Sequence, residues 1–119
     1  FTVTDLGDGT AEAQTSEAAT ITITVNPVNT KPAADNQAVE TNEGESVEII
    51  LTGSDDETNS SELFFNVDES SVQNGTITVE GSEVIYTPAE GYNGPDTFTF
   101  TVTDSGDGSA EAEISEVAT

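Results

Sequence analysis

The sequence predicts an all-β fold, a Greek-key β-sandwich of about seven strands. Three observations support this prediction: short runs in which apolar and polar residues alternate, turn-forming residues between those runs, and no window with convincing helical periodicity. A unit of about 100 residues is long enough for one such sandwich and folds without cross-links.

The first 20 residues of the chain return near its end. Residues 1–20 read FTVTDLGDGTAEAQTSEAAT and residues 100–119 read FTVTDSGDGSAEAEISEVAT, so 15 of 20 positions are identical at an offset of 99 residues. A period of this length indicates an array of like domains. We therefore predict that residues 1–29 are the C-terminal part of one repeat, and that residues 30–119 are the next repeat without its own last strand.

The strands are predicted in chain order from the two-residue alternation. Ile21, Ile23 and Val25 alternate with threonines and form the first strand. Four more strands are predicted at residues 46–52, 62–67, 75–79 and 83–87. A final alternating run extends from Phe98 to Val102. Val, Ile, Thr and Phe suit a pleated, half-buried surface, which supports each of these assignments.

The turns and the core follow from the same alternation. The pairs Asn74-Gly75 and Gly81-Ser82 and residues 88–95 supply the turns. The side chains expected to face inward are Val47, Ile49, Leu51, Leu63, Phe65, Val67, Ile77, Val79, Val84, Tyr86, Phe98, Phe100 and Val102. We expect Tyr92 to anchor its loop with its hydroxyl bonded to backbone. The alternative role for Tyr86 and Tyr92 is a platform on which sugar rings stack.

The charge balance narrows the classes of function. The chain has 24 acidic residues and one basic residue, for a formal net charge of -23 at pH 7. Such a surface repels phosphate backbones and anionic lipid, so we expect neither nucleic-acid binding nor membrane insertion. Cations must offset the self-repulsion, and calcium is the natural candidate because it takes oxygen ligands from Asp, Asn and backbone. The alternative is a solvated acidic surface.

Catalysis finds little support in the composition. The chain contains no Cys and no His, and its sole lysine, Lys31, lies in the segment between the two predicted repeats. A Ser or Lys nucleophile therefore has no activating partner. Paired carboxylates hydrolyse glycosides only in a cleft that raises the pKa of one of them, and nothing singles out two among 24. We expect that the protein is not an enzyme.

Three segments resemble the cadherin-like, immunoglobulin-like tandem repeats of large bacterial surface proteins and repeat adhesins. They read NGTITVEGSEVIYTPAEGYNGPDTFTFTVTD (residues 74–104), ITITVNPVN (residues 21–29) and EGESVEIILTGSDDETN (residues 43–59). The resemblance implies a secreted or cell-surface bacterial protein. It also implies a seven-stranded sandwich present in many copies, calcium near the junctions between copies, and a role as an extender of an adhesin. Some members of the family are proposed to bind carbohydrate or each other.

One acidic loop is the main candidate for a calcium site. Asp55, Glu57 and Asn59 are spaced so that an extended loop points them the same way, and Asp56 lies among them. The resemblance points to a calcium loop of the same type. The residues expected to complete the site, if their loops meet at one end of the sandwich, are Glu43, Asn29 and Asp104. The family linker commonly continues with Asp-Pro after its second Asn, whereas this chain has Thr30, Lys31 and Pro32.

A second acidic motif has a simpler interpretation. Residues 104–108 read DSGDG and their earlier copy, residues 5–9, reads DLGDG. Asp and Gly at alternate positions suit a small cation, but Gly and Asp are also the residues that ordinary turns require, because they tolerate a positive φ. We predict a turn here.

The repeat also predicts how copies join. The last strand of each copy is expected after a loop that extends from Asp104 to Glu116 in the second copy. In the first copy this strand runs from Ala19 to Asn26, and its counterpart would follow Thr119. The short linker of residues 27–31 hardly returns that strand to its own sandwich, since one residue spans at most about 3.6 Å. We hypothesise that this strand completes a neighbouring copy, within a continuous array or head to tail between chains. The alternative function is a calcium-dependent carbohydrate-binding module.

Overall fold

The computed structural model describes residues 1–119 and confirms the all-β prediction. Seven strands form, and the only helices are two single 3₁₀ turns at Ser60–Glu62 and Glu69–Ser71. The strands are β1 (Ala33–Ala34), β2 (Val47–Ile50), β3 (Gly53–Ser54), β4 (Phe64–Asp68), β5 (Gly75–Glu80), β6 (Glu83–Pro88) and β7 (Thr99–Thr103). The predicted strand at residues 46–52 is interrupted after Ile50, where the chain stops pairing with β6 and, from Gly53, pairs with β1.

All of the strand pairs are antiparallel. β6 lies between β2 and β5, with Val84 opposite both Ile49 and Val79. β4 pairs with β7, with Val67 opposite Phe100. β1 and β3 form a third, short pair, and β1 also packs near β7. The sandwich therefore has two layers, with β2, β5 and β6 in one and β4 and β7 in the other.

The core lies between these layers and contains every side chain that the alternation assigned to it. Val84 and Val102 are completely buried, and the Phe65 and Phe100 rings lie 6.3 Å apart at an angle of 37°. Ile49, Leu51 and Leu63 are also buried, and the remaining predicted side chains pack against this cluster. Ala34 and Ala118 belong to the core as well, and the alternation did not identify them because both are small.

The final loop is shorter than the sequence suggested. Residues 113–118 pair with β7, because the N–H of Ser115 donates to the Val102 carbonyl and Phe100 and Ala118 exchange both backbone hydrogen bonds. The last segment of this sandwich thus begins to pair with β7 at Glu113, and the pairing extends to Ala118. The predicted division into residues 1–29 and 30–119 stays a prediction.

The first 19 residues form the same hairpin without a sandwich. Phe1 and Ala19 exchange the bonds that Phe100 and Ala118 make, and Ser16 bonds to Val3 as Ser115 bonds to Val102. We call residues 1–19 the N-terminal hairpin and residues 100–118 the C-terminal hairpin. No hydrogen bond joins residues 1–26 to the sandwich, so the sequence repeat reproduces a local backbone structure without its core.

The first predicted strand does not pair. Residues 21–26, which we call the exposed segment, have no strand assignment, and Ile21, Ile23 and Val25 are 70%, 81% and 87% exposed. Within this chain the predicted strand does not form, because no strand lies beside the segment to pair with it; the hypothesis that it completes a neighbouring copy stays a prediction. The extended N-terminal part makes the molecule 104 Å long and 18 Å wide in both other directions.

Neither 3₁₀ turn is a candidate for crossing a membrane, since no helix of the structure has the required length and apolar composition.

Candidate functional site

Three segments meet at the end of the sandwich where the chain enters it. They are the linker of residues 27–31, the loop of residues 55–58 after β3, and the loop of residues 104–113 after β7; together we call them the linker pole. β3 and β7 both end here, which explains why acidic residues far apart in sequence come together. Hydrogen bonds then join the linker to both loops.

Asp104 is the central carboxylate of the linker pole. It is 2% exposed, and its Oδ1 accepts hydrogen bonds from the backbone N–H groups of Gly106 at 2.7 Å and Glu113 at 3.0 Å. Its Oδ2 accepts from the Asn29 side-chain amide at 3.0 Å. Burial by itself would raise the pKa of Asp104, but these three hydrogen bonds outweigh it and the pKa is lowered. The carboxylate is therefore charged at neutral pH.

Asn29 and Thr30 attach the linker to the two loops. The Asn29 amide donates to Asp104 and also to the Glu111 carbonyl at 3.0 Å. Thr30 donates from its N–H at 3.0 Å and from its hydroxyl at 2.6 Å to the same oxygen of Glu57. These bonds fix the direction in which the chain leaves the sandwich.

Asp55 shapes the acidic loop. Its Oδ2 accepts from the N–H groups of Glu57 at 3.1 Å and Thr58 at 2.6 Å, which closes a tight turn after β3. Asp55 thus points into the loop, and the loop presents Glu57 to the linker. Oδ1, the other carboxylate oxygen of Asp55, accepts no hydrogen bond.

Three side-chain oxygens of the linker pole are buried without a hydrogen-bond partner. They are Oδ1 of Asn29, Oδ1 of Asp55 and Oγ1 of Thr58, and they are the only buried side-chain N or O atoms of the protein in that condition. A buried polar atom without a partner costs free energy, so each one requires an explanation. All three are hard oxygen atoms of the type that calcium binds.

The predicted ligands separate into two groups. Asn29, Asp55, Glu57 and Asp104 come together at the linker pole. Asp56 is exposed beside them, and Asn59 is also exposed and donates to Glu62 at 3.2 Å. No three acidic side chains of the protein are grouped so that they could hold a metal ion by themselves. Any cation here would therefore need the amide, hydroxyl and backbone oxygens as well as the carboxylates.

Glu43 does not join the linker pole. It lies before β2, whereas Asp55 follows β3 at the other end of the same extended stretch, and its side chain accepts from Asn93 at 3.4 Å in the loop before β7. Sequence reasoning missed Thr58, whose buried hydroxyl lies in the acidic loop. The only signal for it was its position between Glu57 and Asn59 in that loop.

Lys31 lies beside Thr30, which stands directly after Asn29 where the resembling linkers commonly carry Asp. Its ammonium pairs with Glu116, and both side chains are largely exposed. The hydrogen bond from Lys31 and its positive charge lower the pKa of Glu116. The lysine charge is thus compensated by Glu116, whose side chain forms no hydrogen bond with Asp104 or Asp55.

The DSGDG motif forms a turn, as predicted. Gly106 has a φ of 73°, and a Cβ there would lie 2.4 Å from the Ala110 carbonyl oxygen. Gly7 in the N-terminal hairpin has a φ of 72° and a similar close contact with Ala11. The aspartates cap this turn with their side chains, and the glycines are required for its backbone path.

The two tyrosines hold loops at the opposite end of the sandwich. Tyr92 donates from its hydroxyl to the Pro95 carbonyl at 2.6 Å, as predicted. Tyr86 packs against the core and donates to Asp96 at 3.0 Å. Burial, the hydrogen bond and the negative charge of Asp96 raise the pKa of Tyr86 to about 12. Both rings are half-buried with bonded hydroxyls, which favours anchoring roles over a sugar-binding platform.

Comparison with known proteins gives one match. The family model described as "Bacterial Ig domain" matches residues 29–115. No curated protein and no solved structure matches the chain. The matched range begins at the linker residue Asn29 and ends within the C-terminal hairpin, so it covers all seven strands of the sandwich.

Proposed function

Because the chain belongs to the bacterial Ig domain family, we propose that it is a structural extender of a bacterial surface protein, stiffened by calcium at the linker pole. Domains of this family typically occur in surface proteins and are in general not enzymes. The extender role is the finer part of this statement, and the following observations support it.

The observation that supports the extender role best is the shape of the molecule. The radius of gyration is 28.3 Å, about twice the value of about 13.5 Å expected for a compact chain of this length. The excess comes from residues 1–26, which extend away from the sandwich along one axis. Asn29 and Thr30 hold the start of the sandwich to this axis through bonds to Asp104 and Glu57. A chain that is held straight at each linker gains length with every copy.

Calcium binding is supported by the unpartnered oxygens of the linker pole. Asn29, Asp55 and Thr58 would supply the three buried oxygens, and the charge would come from Asp55 together with the neighbouring Glu57 and Asp104. When bound, the ion supplies positive charge that offsets repulsion between these carboxylates. The chain's own contribution is to hold the linker and the acidic loop side by side.

The experiment for this proposal is a thermal melt of the whole chain in EDTA and then in millimolar calcium, at fixed ionic strength. We expect calcium to raise the Tm. A concentration 100 times the Kd adds about 2.7 kcal/mol, and each kcal/mol raises the Tm of a small domain by about 4–8 °C. An equal Tm in calcium and in sodium would overturn the calcium part of the proposal.

Two variants separate binding at the linker pole from general screening of charge. Asp55→Asn changes the carboxylate that carries an unpartnered buried oxygen, and we expect it to lose most of the calcium response. Asp56→Asn is the control, because it removes the same charge from the next residue, whose exposed side chain makes no hydrogen bond. We expect this variant to respond to calcium as the unmodified chain does. Equal responses from both variants would indicate screening rather than a site.

We also propose that neighbouring copies associate head to tail through residues 19–26. The support is that Ile21, Ile23 and Val25 are exposed on an extended segment, which is unfavourable for apolar side chains in water. The partner that we propose is another copy of this domain. Sedimentation velocity of the unmodified chain and of Ile23→Asp tests the association, and unchanged assembly of the variant would overturn it.

A further inference from the structure

Asparagine is followed by glycine at two places in the chain, Asn74-Gly75 and Asn93-Gly94. In this pair the asparagine side chain reacts readily with its own backbone, because glycine has no side chain to hinder attack by its nitrogen. The attack closes a ring, so the peptide unit after the asparagine must rotate toward the side-chain amide. The local structure therefore determines whether each pair reacts.

The first pair is held by the fold. The Asn74 N–H donates to Asp96 at 2.8 Å, and the Asn74 carbonyl accepts from the Ala89 N–H at 2.8 Å. Gly75 is the first residue of β5, and a Cβ on it would lie 2.5 Å from the Tyr86 ring. Rotation of the backbone here breaks hydrogen bonds at the start of β5 and disturbs this packing. The ring therefore closes at Asn74 only after the structure opens locally.

The second pair lies in the loop between β6 and β7. Asn93 and Gly94 are both exposed, and neither residue forms a hydrogen bond through its backbone N–H or carbonyl group. The side-chain amide of Asn93 makes one long hydrogen bond, to Glu43 at 3.4 Å. No backbone hydrogen bond of the pair therefore has to break before the Gly94 nitrogen approaches the Asn93 side chain.

The glycine of the second pair has a structural role. Gly94 has a φ of 140°, which other residues rarely adopt, and a Cβ there would lie 3.0 Å from the Tyr92 hydroxyl. That hydroxyl anchors the loop by donating to the Pro95 carbonyl. The anchor thus requires the residue that leaves Asn93 open to attack.

We propose that Asn93 is a site of spontaneous deamidation and that Asn74 is protected from it. The Gly94 nitrogen loses its proton and attacks Cγ of Asn93. The Cγ–Nδ2 bond breaks, and Nδ2 leaves with that proton as ammonia. Water then opens the resulting succinimide at either carbonyl, which leaves aspartate or isoaspartate at position 93. The reaction consumes water, releases ammonia and needs no enzyme.

The product changes the end of the sandwich opposite the linker pole. The bond from Asn93 to Glu43 is the only hydrogen bond that joins residues 41–45 to residues 89–97. After deamidation two carboxylates face each other at this contact, so an attraction becomes a repulsion. The reaction also adds a negative charge to a chain whose formal net charge is already -23.

The first test incubates the folded chain in mildly alkaline buffer and follows both asparagines by mass spectrometry. Cleavage after glutamate separates them, because residues 70–80 contain only Asn74 and residues 91–111 contain only Asn93 as asparagine. We expect peptide 91–111 to deamidate at least about tenfold faster than peptide 70–80, since the bonds around Asn74 must open first. Equal rates, or no reaction at Asn93, would overturn the proposal.

Two controls separate the effect of the fold from that of the sequence. In urea both pairs have the same glycine neighbour and no fixed backbone, so we expect the two rates to become similar. A difference that persists in urea would contradict protection of Asn74 by the fold. Asn93→Gln keeps an amide at the position but requires a larger ring, so peptide 91–111 should stay unmodified over the same period. Deamidation of this variant at the original rate would contradict attack by Gly94.

The consequence for the sandwich is tested with Asn93→Asp, which reproduces the aspartate product. We expect this variant to lower the Tm by a few degrees, because its new carboxylate lies beside that of Glu43. Glu43→Gln should remove the difference, since the repulsion needs both carboxylates. An unchanged Tm, or an equal loss when Glu43→Gln is present, would contradict the proposed repulsion.

Discussion

Individual residues of the linker pole have duplicates in the N-terminal hairpin, and these duplicates are built-in controls. Asp5 accepts from the N–H groups of Gln14 and Gly7 just as Asp104 accepts from those of Glu113 and Gly106. These hydrogen bonds lower the pKa of Asp5 as well. Asp5, however, is exposed and supports no core, whereas Asp104 is buried under the linker. Comparing the same substitution at Asp5 and at Asp104 therefore separates the effect on the local turn from the effect on the stability of the sandwich.

Asp104→Asn is predicted to lower the Tm at pH 7. The pKa of Asp104 is lowered in the folded chain, so its stabilising contribution is present above the unfolded pKa of about 3.9 and is lost as the pH falls through the folded value. Thermal melts from pH 7 to pH 2.5 should show the difference between the two proteins closing below about pH 4. Asp5→Asn should leave the Tm unchanged throughout. A constant difference across this range would contradict the assignment.

Gly106→Ala is predicted to destabilise the sandwich by about 2 kcal/mol or more, since it combines a positive φ with a close contact to the Ala110 carbonyl. Because the chain has no tryptophan, urea unfolding is followed by far-UV circular dichroism to measure this change in stability. Gly7→Ala introduces the same strain in the N-terminal hairpin and should leave the unfolding midpoint unchanged. Equal effects of the two variants would contradict the prediction, because the N-terminal hairpin supports no core.

Part of the linker pole could be predicted from single residues, and part could not. The carboxylates of Asp55, Glu57 and Asp104 were identifiable because acidic residues stand out after apolar strands. Glu43 was assigned to the linker pole although it lies at the other end of the sandwich. The end at which a loop residue lies depends on the direction of the neighbouring strand, which residue type does not reveal. Thr58 was missed because a threonine in a polar loop looks solvated until the backbone turns around Asp55 and buries it.

At the scale of the element, the alternation predicted β2, β4, β5, β6 and β7 within one or two residues and assigned their inward faces, but it did not identify the two-residue strands β1 and β3. It failed where an element depends on a partner. Residues 21–25 have a clear strand pattern and no pairing, while residues 113–118 pair with β7 although Glu113 to Glu116 looked like loop. A two-residue period indicates which side a strand would bury, but pairing requires a neighbour that is actually present.

Tyr86→Phe is predicted to destabilise the loop before β7 and to cost about 1–2 kcal/mol. The hydroxyl of Tyr86 donates to Asp96, whose carboxylate also accepts from the N–H groups of Gln73 and Asn74 and so joins two loops. Hydrogen exchange of the Gln73 and Asn74 amides, together with urea unfolding, measures the effect. Tyr92→Phe removes a hydroxyl that bonds only to its own loop, so it should not affect those amides. Equal exchange in both variants would contradict the role of Asp96.

At the scale of the whole molecule, length is the property that distinguishes this chain from an isolated sandwich. The linker hydrogen bonds from Asn29 and Thr30 determine whether residues 1–26 extend straight or swing freely. This direction could not be predicted from the sequence, because a linker of polar residues and proline is equally compatible with a flexible hinge. Rigidity here depends on contacts with loops that follow much later in the chain.

Small-angle X-ray scattering of the chain, at concentrations at which it is monomeric, is predicted to give a radius of gyration near 28.3 Å and a longest dimension near 104 Å. Asn29→Ala removes the bonds to Asp104 and Glu111, and we expect it to shorten the longest dimension and broaden the distribution of distances. Gln37→Ala is the matched control, because it changes a polar side chain away from the linker. A compact unmodified monomer would refute a straight linker.

The arrangement of the first and last strands of the sandwich determines how it responds to mechanical force. The chain enters at the linker pole, and Thr119 runs beside Gln37 in the same direction, joined to it by the Thr119 carbonyl. Tension applied to the two ends slides these neighbouring segments past each other along their length. Hydrogen bonds loaded in this shear geometry share the force and break together, whereas bonds pulled open like a zipper break one at a time. Such an arrangement resists tension along the two neighbouring segments more strongly than tension across them.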